Sequence, residues 1–346
     1  GASFAVDTVK RKEGKNRPSP PFITSTLQQE AWRKFRFPAA RTMALAQQLY
    51  EGLALGSDGE SGLITYMRTD STNMATSAVR EIREQIDRTY GRDYVPASPR
   101  VFSRKVRGAQ EAHEAIRPTS ISRNPESLKR FLNPGQARLY GLIWRRTLAS
   151  QMTDAVLDRT TVDVDAAGTP SGTDYTFRAQ GQVLKFPGFR AVYMEDRDDP
   201  ADDDSEEAQL PELADGDLLD RLGIDADRHF TQPPPRFTEA TLVKVLEEKG
   251  IGRPSTYAPT MATVVDRDYV RKDKGRFVPS KLGIAVSDLL TEHFPEIMDV
   301  GFTARIEEEL DDIAAGERRW VPVLEEFYSP FNEAVQKALE NAQESM

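Results

Sequence analysis

The hydrophobic repeat of this chain changes period twice, and those changes restrict its fold more than any other feature. Between about residues 23 and 150, apolar residues recur three and four apart. Met43, Ala46, Leu49 and Tyr50 share one helical face, and Val79, Ile82, Ile86 and Tyr90 share another that Gly91 stops. From Leu157 the period becomes two. Thr160, Val162 and Val164 alternate with polar neighbours, followed by Tyr175 to Ala179 and Val183 to Tyr193, with Gly168, Gly172, Gly181 and Gly188 between the runs as antiparallel turns require. After Pro233-Pro234-Pro235 the helical spacing returns. A chain of 346 residues is long for one core, so a multidomain fold with α and β parts is expected.

The division that follows is 1–22 as the start of a β-rich domain, 23–150 as a mainly helical domain, 151–232 as the β-rich domain resumed, and 233–346 as a second helical domain. Ser25 and Gln28 read as a capping box opening a helix to about Phe35, and a second helix runs from Pro38 to Tyr50. Leu128, Phe131 and Leu132, then Leu139, Leu142 and Ile143, give two helices parted at Asn133-Pro134-Gly135. Thr238 caps a helix closed by Gly250, Pro254-Ser255 opens the next, and Tyr269 to Val278 reads as a hairpin. That order is the layout of a winged helix-turn-helix, and it fits an ordinary helical pair equally well. Glu307 to Asp312 and Leu324 to Leu339 read as amphipathic surface helices.

A net charge of −9 argues against a nucleic-acid partner until it is divided by region. Residues 195–220 hold thirteen acids and one arginine, a local −12, whereas residues 10–41 hold nine basic and two acidic side chains, a local +7. Screening confines each patch to a neighbourhood of about 10 Å, so a basic stripe can bind phosphate on an acidic protein. The absence of cysteine excludes disulfides and thiolate metal sites and suits the cytoplasm. No apolar run is long enough to span a bilayer, so no membrane partner is expected. The start Gly1-Ala2-Ser3 lacks an initiator methionine and reads as part of a longer protein.

Gly62 to Thr72 carries the chemistry. If Leu63 to Arg68 is a strand, Tyr66, Arg68 and Asp70 point the same way. A phenol with a reference pKa of about 10 is a poor nucleophile at neutral pH, but a neighbouring guanidinium favours the phenolate and binds a phosphate. The same residues also fit a half-buried strand without chemistry. His113-Glu114-Ala115-Ile116-Arg117 begins like a zinc-protease helix but has arginine where the second histidine is needed, so no metal site is expected. Gly250-Ile251-Gly252-Arg253 lacks the lysine of a P-loop and the upstream strand of a dinucleotide fold. As a turn it leaves Arg253 and Thr256 at a helix N-terminus, which attracts phosphate. Arg267 also fits a solvated charge at a helix end.

Ile64-Thr65-Tyr66-Met67-Arg68-Thr69-Asp70-Ser71-Thr72 resembles the active-site segment of bacterial type IA DNA topoisomerases. So, in the same order along the chain, do Phe22 to Gln29, Ala109 to Thr119 and Lys249 to Tyr257. The resemblance implies Tyr66 as nucleophile, Arg68 and His113 at the reacting phosphate, and Gln47, Thr65 and Asp70 near it. It carries phosphate, nucleotide or DNA contact onto Arg253, Thr256, Arg267 and Arg117. The implied fold is the family's central region: a β-rich arch, a helical tyrosine domain inserted in it, and a winged-helix-like domain, within a torus of four domains. The implied reaction is ATP-independent transesterification through a 5′-phosphotyrosine, with passage of a strand and religation that relaxes negative supercoils. Mg2+ is expected for the full-length enzyme, with its ligands in a Toprim domain outside this chain. Asp202, Asp204 and Glu206 copy that domain's acidic spacing, but without the strand before or the glycine after, and are expected to be a solvated loop. The expected partners are DNA, preferentially single-stranded, and the missing Toprim domain, with the protein a monomer. This chain alone is expected to bind DNA weakly and to relax no supercoils. A tyrosine recombinase needs a basic set ahead of a C-terminal tyrosine, and a rolling-circle nuclease needs a His-hydrophobe-His pair; neither pattern is present. A non-enzymatic winged-helix module for single-stranded DNA is the standing alternative.

Overall fold

A computed structural model describes residues 2–56, 59–102, 114–169, 172–196 and 210–344. In chain order the elements are β1 (Ser3–Asn16), α1 (Thr24–Phe35), α2 (Ala39–Glu51), β2 (Leu53–Ala54), β3 (Glu60–Ser61), α3 (Thr76–Tyr90), α4 (Pro125–Leu128), α5 (Pro134–Ser150), β4 (Ala155–Ala167), β5 (Tyr175–Phe186) and β6 (Leu218–Leu219). There follow α6 (Glu239–Glu248), α7 (Tyr257–Asp266), β7 (Val270–Asp273), β8 (Arg276–Pro279), α8 (Lys281–His293), α9 (Pro295–Met298), α10 (Val300–Ala314) and α11 (Trp320–Glu344). The chain separates into two compact units, residues 1–19, 82–100 and 148–234, and residues 20–81, 101–147 and 235–346.

The first unit is built on an antiparallel sheet of order β5-β4-β1-β6. β1 lies along β4 from Ser3↔Ala167 to Asn16↔Ala155, with a slip in register between Val6 and Thr8. The period-two runs form the strands because alternate residues can bury: Val6, Leu157 and Val162 are in the core. β5 buries far less, and Tyr175, Phe177, Val183 and Leu184 stay about half exposed, from 46% to 52%. The far end of the acidic stretch closes the sheet edge. There β6 pairs with β1 at Phe4↔Leu219, and the Val9 N–H donates to the Asp215 carboxylate at 2.7 Å. Asp202, Asp204 and Glu206 lie outside the described residues.

In the second unit the helical periods hold. α5 buries Leu139, Tyr140 and Ile143. Its start is fixed by reciprocal bonds, Gln136 N–H to Asn133 Oδ1 and Asn133 N–H to Gln136 Oε1, each 2.9 Å. Burial pushes the Tyr140 phenol up, and its hydroxyl donates to the Arg123 carbonyl at 2.6 Å. Helix, glycine turn, helix and hairpin appear in the expected order as α6, residues 249–256, α7 and β7–β8. Ala39 of α2 joins Val243, Tyr257, Ala258, Met261 and Phe277 in one apolar cluster. The Glu239 carboxylate ties these parts together, accepting the Ala39 N–H at 2.6 Å and pairing with the Lys272 ammonium at 2.5 Å.

The opening of α1 corrects the expected Ser25–Gln28 box. The N-cap is Ile23, whose N–H donates to the Thr26 hydroxyl at 3.0 Å. Ser25 and Gln28 are instead buried, and their side-chain polar atoms have no partner among the described residues. The spacing of a polar pair three apart fits either register, and burial selects the one that begins at Ile23.

Candidate active site

Three segments far apart in sequence are joined edge to edge in the second unit. Phe22 bridges to Ile116 and Ile64 to Pro118. The Ile116 N–H donates to the Phe22 carbonyl at 2.8 Å, and the Thr65 N–H to the Arg117 carbonyl at 2.9 Å. Arg146, itself buried, donates its Nε–H to the Pro20 carbonyl at 2.5 Å and lies over the Phe22 ring.

The Tyr66 segment is not the strand its alternation suggested. Only Ile64 makes a ladder bridge, and residues 65–70 run as bends and irregular backbone. Side-chain hydroxyls replace the ladder. The Thr65 hydroxyl donates to the Ala115 carbonyl at 2.6 Å and accepts the Arg117 N–H at 3.0 Å. Fully buried Thr24 donates to the Met67 carbonyl at 2.7 Å and accepts the Thr69 N–H at 2.9 Å. The alternation itself survives: Met67 and Thr69 are each 1% exposed, whereas Tyr66 and Arg68 face solvent and Asp70 is half-buried. Thus the phenol and the guanidinium are both exposed, on backbone held by a frame that needs no sheet.

Gly62 lets this segment reach α2. A Cβ there would stand 2.6 Å from the Tyr50 carbonyl oxygen, inside any tolerable contact, while the Leu63 N–H donates to the Leu49 carbonyl at 2.7 Å. Tyr50 meets Tyr66 edge to face, ring centroids 5.4 Å apart. Gln47, one turn earlier on α2, donates to Glu51 at 2.5 Å.

The fourth segment meets the first two around a cavity of about 410 Å3 lined by Ser25, Thr69, Asp70, Arg253, Tyr257 and Glu308, among others. Arg253 is not free there. Its Nη2 donates to the Asp311 carboxylate at 2.6 Å, and its Nη1 lies 3.6 Å from Glu307. Its N–H donates to the Thr256 hydroxyl at 2.8 Å, and positive-φ Gly252 shapes the turn. Tyr257 is pushed up to about 12, first by burial and then by the carboxylates of Glu247, Asp70 and Glu307, against the pull of Arg253.

Arg68 makes no ion pair among the described residues. Arg117 is clamped to Glu114, 2.5 Å between Nη2 and Oε2, and donates to the Pro118 carbonyl. Glu114 also accepts the Ala75 N–H at 2.8 Å, so this pair braces the frame. Arg267 is exposed at the C-terminal end of α7 and lines no part of the cavity. His113 lies outside the described residues. Among the described residues no three His, Cys, Asp or Glu side chains are placed to hold a metal ion. Sequence reasoning gave no role to Thr24, Tyr50, Glu307 or Asp311. Thr24 lies inside one of the four motifs, but its partners are more than forty residues away.

A mixed α/β fold in which segments far apart in sequence meet around an exposed tyrosine fits one class, the type IA DNA topoisomerase fold. Comparison with known proteins agrees. The family described as DNA topoisomerase matches residues 1–325. The DNA topoisomerase 1 proteins of Xylella fastidiosa strains Temecula1 and 9a5c are each 49% identical over 332 residues, 96% of this chain and 40% of theirs. The structure of full-length topoisomerase I from Thermotoga maritima superposes with a TM-score of 0.83 at 36% identity, covering 96% of this chain and 52% of that one. The chain therefore belongs to the bacterial type IA DNA topoisomerase family, and it spans about two fifths of the length of the curated relatives it matches.

Proposed function

We propose that this chain carries the cleavage tyrosine of an ATP-independent DNA topoisomerase. The Tyr66 phenol attacks the phosphorus of a phosphodiester in a single-stranded segment. A P–O bond forms to the phenolic oxygen, the bond to the 3′ oxygen breaks, and the 3′-hydroxyl leaves with a proton while the 5′-phosphate stays on the tyrosine. Passage of another strand and the reverse attack restore the DNA with its linking number changed. Bond energy is conserved in the phosphotyrosine, so no nucleotide is consumed. Arg68 stabilises the charge that builds on the phosphate, and His113 contacts the phosphate or moves a proton there. Gln47, Thr65 and Asp70 position that segment, and Arg253, Thr256, Arg267 and Arg117 contribute to the path of the DNA. The described residues offer no fit for Mg2+, and no step here passes through a metal.

The observation that carries this reading is the exposure of both Tyr66 and Arg68 on a backbone pinned by Thr24 and Thr65. Residues 1–22 with 151–232 act as the arch, 23–150 as the tyrosine domain and 233–346 as a winged-helix-like DNA-binding domain. The whole enzyme works as a cytoplasmic monomer with a Toprim domain; among the described residues no helix is long and apolar enough to cross a membrane. The test mixes this chain with labelled single-stranded DNA, Mg2+ and the part of a Xylella relative outside the match. A denaturation-resistant protein–DNA adduct is expected from the unaltered chain and none from Tyr66→Phe. DNA binding with no adduct under any condition would leave the winged-helix binding module as the better reading. The chain alone is expected to leave supercoiled plasmid unrelaxed.

A further inference from the structure

The first unit contains a basic concavity whose lining includes no residue of the tyrosine segment. A cavity of about 240 Å3 is walled by Arg17 after the end of β1, Arg159 on β4 and Arg190 on the short turn of helix at Gly188–Ala191. Phe189 and Tyr193 are buried in its lining, 8% and 6% exposed. Arg17 and Arg159 are exposed and Arg190 is half-buried. None of the three guanidiniums forms an ion pair among the described residues, and Arg190 Nη2 lies 3.9 Å from the Met194 sulfur. Two other cations of the same sheet are matched, Arg178 with Asp163, and Lys185 with Glu13 and Asp158, whereas Arg11, Lys12 and Lys15 of β1 form no ion pair among the described residues.

Three guanidiniums around one hollow repel each other, and among the described residues Glu195 is the one carboxylate on the lining. Guanidinium forks are suited to phosphate oxygens, which they bind bidentately. The hollow is smaller than the roughly 300–1,000 Å3 that encloses a drug-sized ligand and is open at the rim, which suits one unit of a passing polymer. We propose that Arg17, Arg159 and Arg190 form a phosphate-backbone site for a DNA strand on the sheet unit. The choice of DNA rests on the function proposed above; the position of the site does not.

Fluorescence anisotropy of the chain with labelled single-stranded and duplex oligonucleotides, across a series of salt concentrations, tests this. In Arg159→Gln/Arg190→Gln the affinity for one of the two DNA forms falls about tenfold, and the slope of log K against log salt becomes shallower by about 0.7 to 0.9 for each phosphate that is no longer neutralised. Arg159→Lys/Arg190→Lys keeps most of the slope. The control Arg11→Gln/Lys12→Gln removes the same charge from exposed positions on β1 and leaves the slope nearly unchanged. Equal losses in the two glutamine pairs would assign the effect to diffuse charge and overturn the site, as would no loss with either DNA form. A wild-type chain that forms no adduct, together with a shallower slope in the Arg159/Arg190 glutamine pair, would sink the tyrosine reading and leave this site standing.

Discussion

Arg68 and Arg253 stand in two motifs of the same structural unit, and their surroundings differ sharply. Arg68 projects from irregular backbone into solvent without an ion pair among the described residues. Arg253 sits in a glycine turn with Asp311 and Glu307 of α10 already against it. A phosphate reaching Arg68 displaces water; one reaching Arg253 must also displace two carboxylates. The first arrangement suits a group that acts on the reacting phosphate at once. The second suits a contact made as α10 shifts or as a stronger anion competes. Identical side chains are thus given different surroundings by neighbours some fifty residues away.

That contrast can be broken experimentally. The largest effect is expected at Arg68. Its replacement by alanine should slow adduct formation by about 10²–10³-fold, the typical loss when one preorganised stabiliser of transition-state charge is removed. Arg253→Ala should weaken DNA binding and leave the rate at saturating DNA nearly unchanged; quench-flow on both variants separates the two. Next comes the frame. Thr24→Val leaves the buried Thr69 N–H and Met67 carbonyl without this hydroxyl and should cost about 1–3 kcal/mol in urea unfolding. The smallest effect belongs to the acid pair on Arg253. Asp311→Asn should raise affinity for single-stranded DNA a few-fold at constant salt, measured by anisotropy. The change in stability should stay below about 1 kcal/mol, because both side chains are partly exposed. A tenfold slower adduct in Asp311→Asn would mean that the acid pair serves the chemistry instead of restraining Arg253.

Much of the fold was legible from period alone. The main helices before and after the strands and the helix–turn–helix–hairpin order appear where apolar spacing put them. The expected turn at Gly181 is instead absorbed into one strand, Tyr175–Phe186, because its backbone pairs with Thr160. Residues 188–191 form a short helix instead of a strand, and α4 stops at Leu128 before Phe131 and Leu132. Local rules failed where a tertiary interaction outweighed them. The Leu63–Arg68 alternation reads as a strand, yet Thr24 and Thr65 supply hydrogen bonds that a ladder would have made, so the faces persist without the strand. Ser25 and Gln28 have cap spacing, but burial of α1 took them inside and left capping to Ile23 and Thr26. At the candidate site the residue types and their order were readable, because each of the four motifs is contiguous. Which cations are free was not readable, since Glu307 and Asp311 approach Arg253 only through the packing of α10.

Tyr50 supplies the sharpest control on the central claim. It is a second exposed phenol, 40% exposed against 39% for Tyr66, with its ring 5.4 Å from that of Tyr66. Mass spectrometry of the trapped adduct, formed on oligonucleotides labelled at either end, tells the two apart. The expected result is a modified peptide whose fragments place the nucleotide on Tyr66, with the 3′-labelled DNA end retained on the protein. Modification at Tyr50, or retention of the 5′-labelled end, would contradict the assignment.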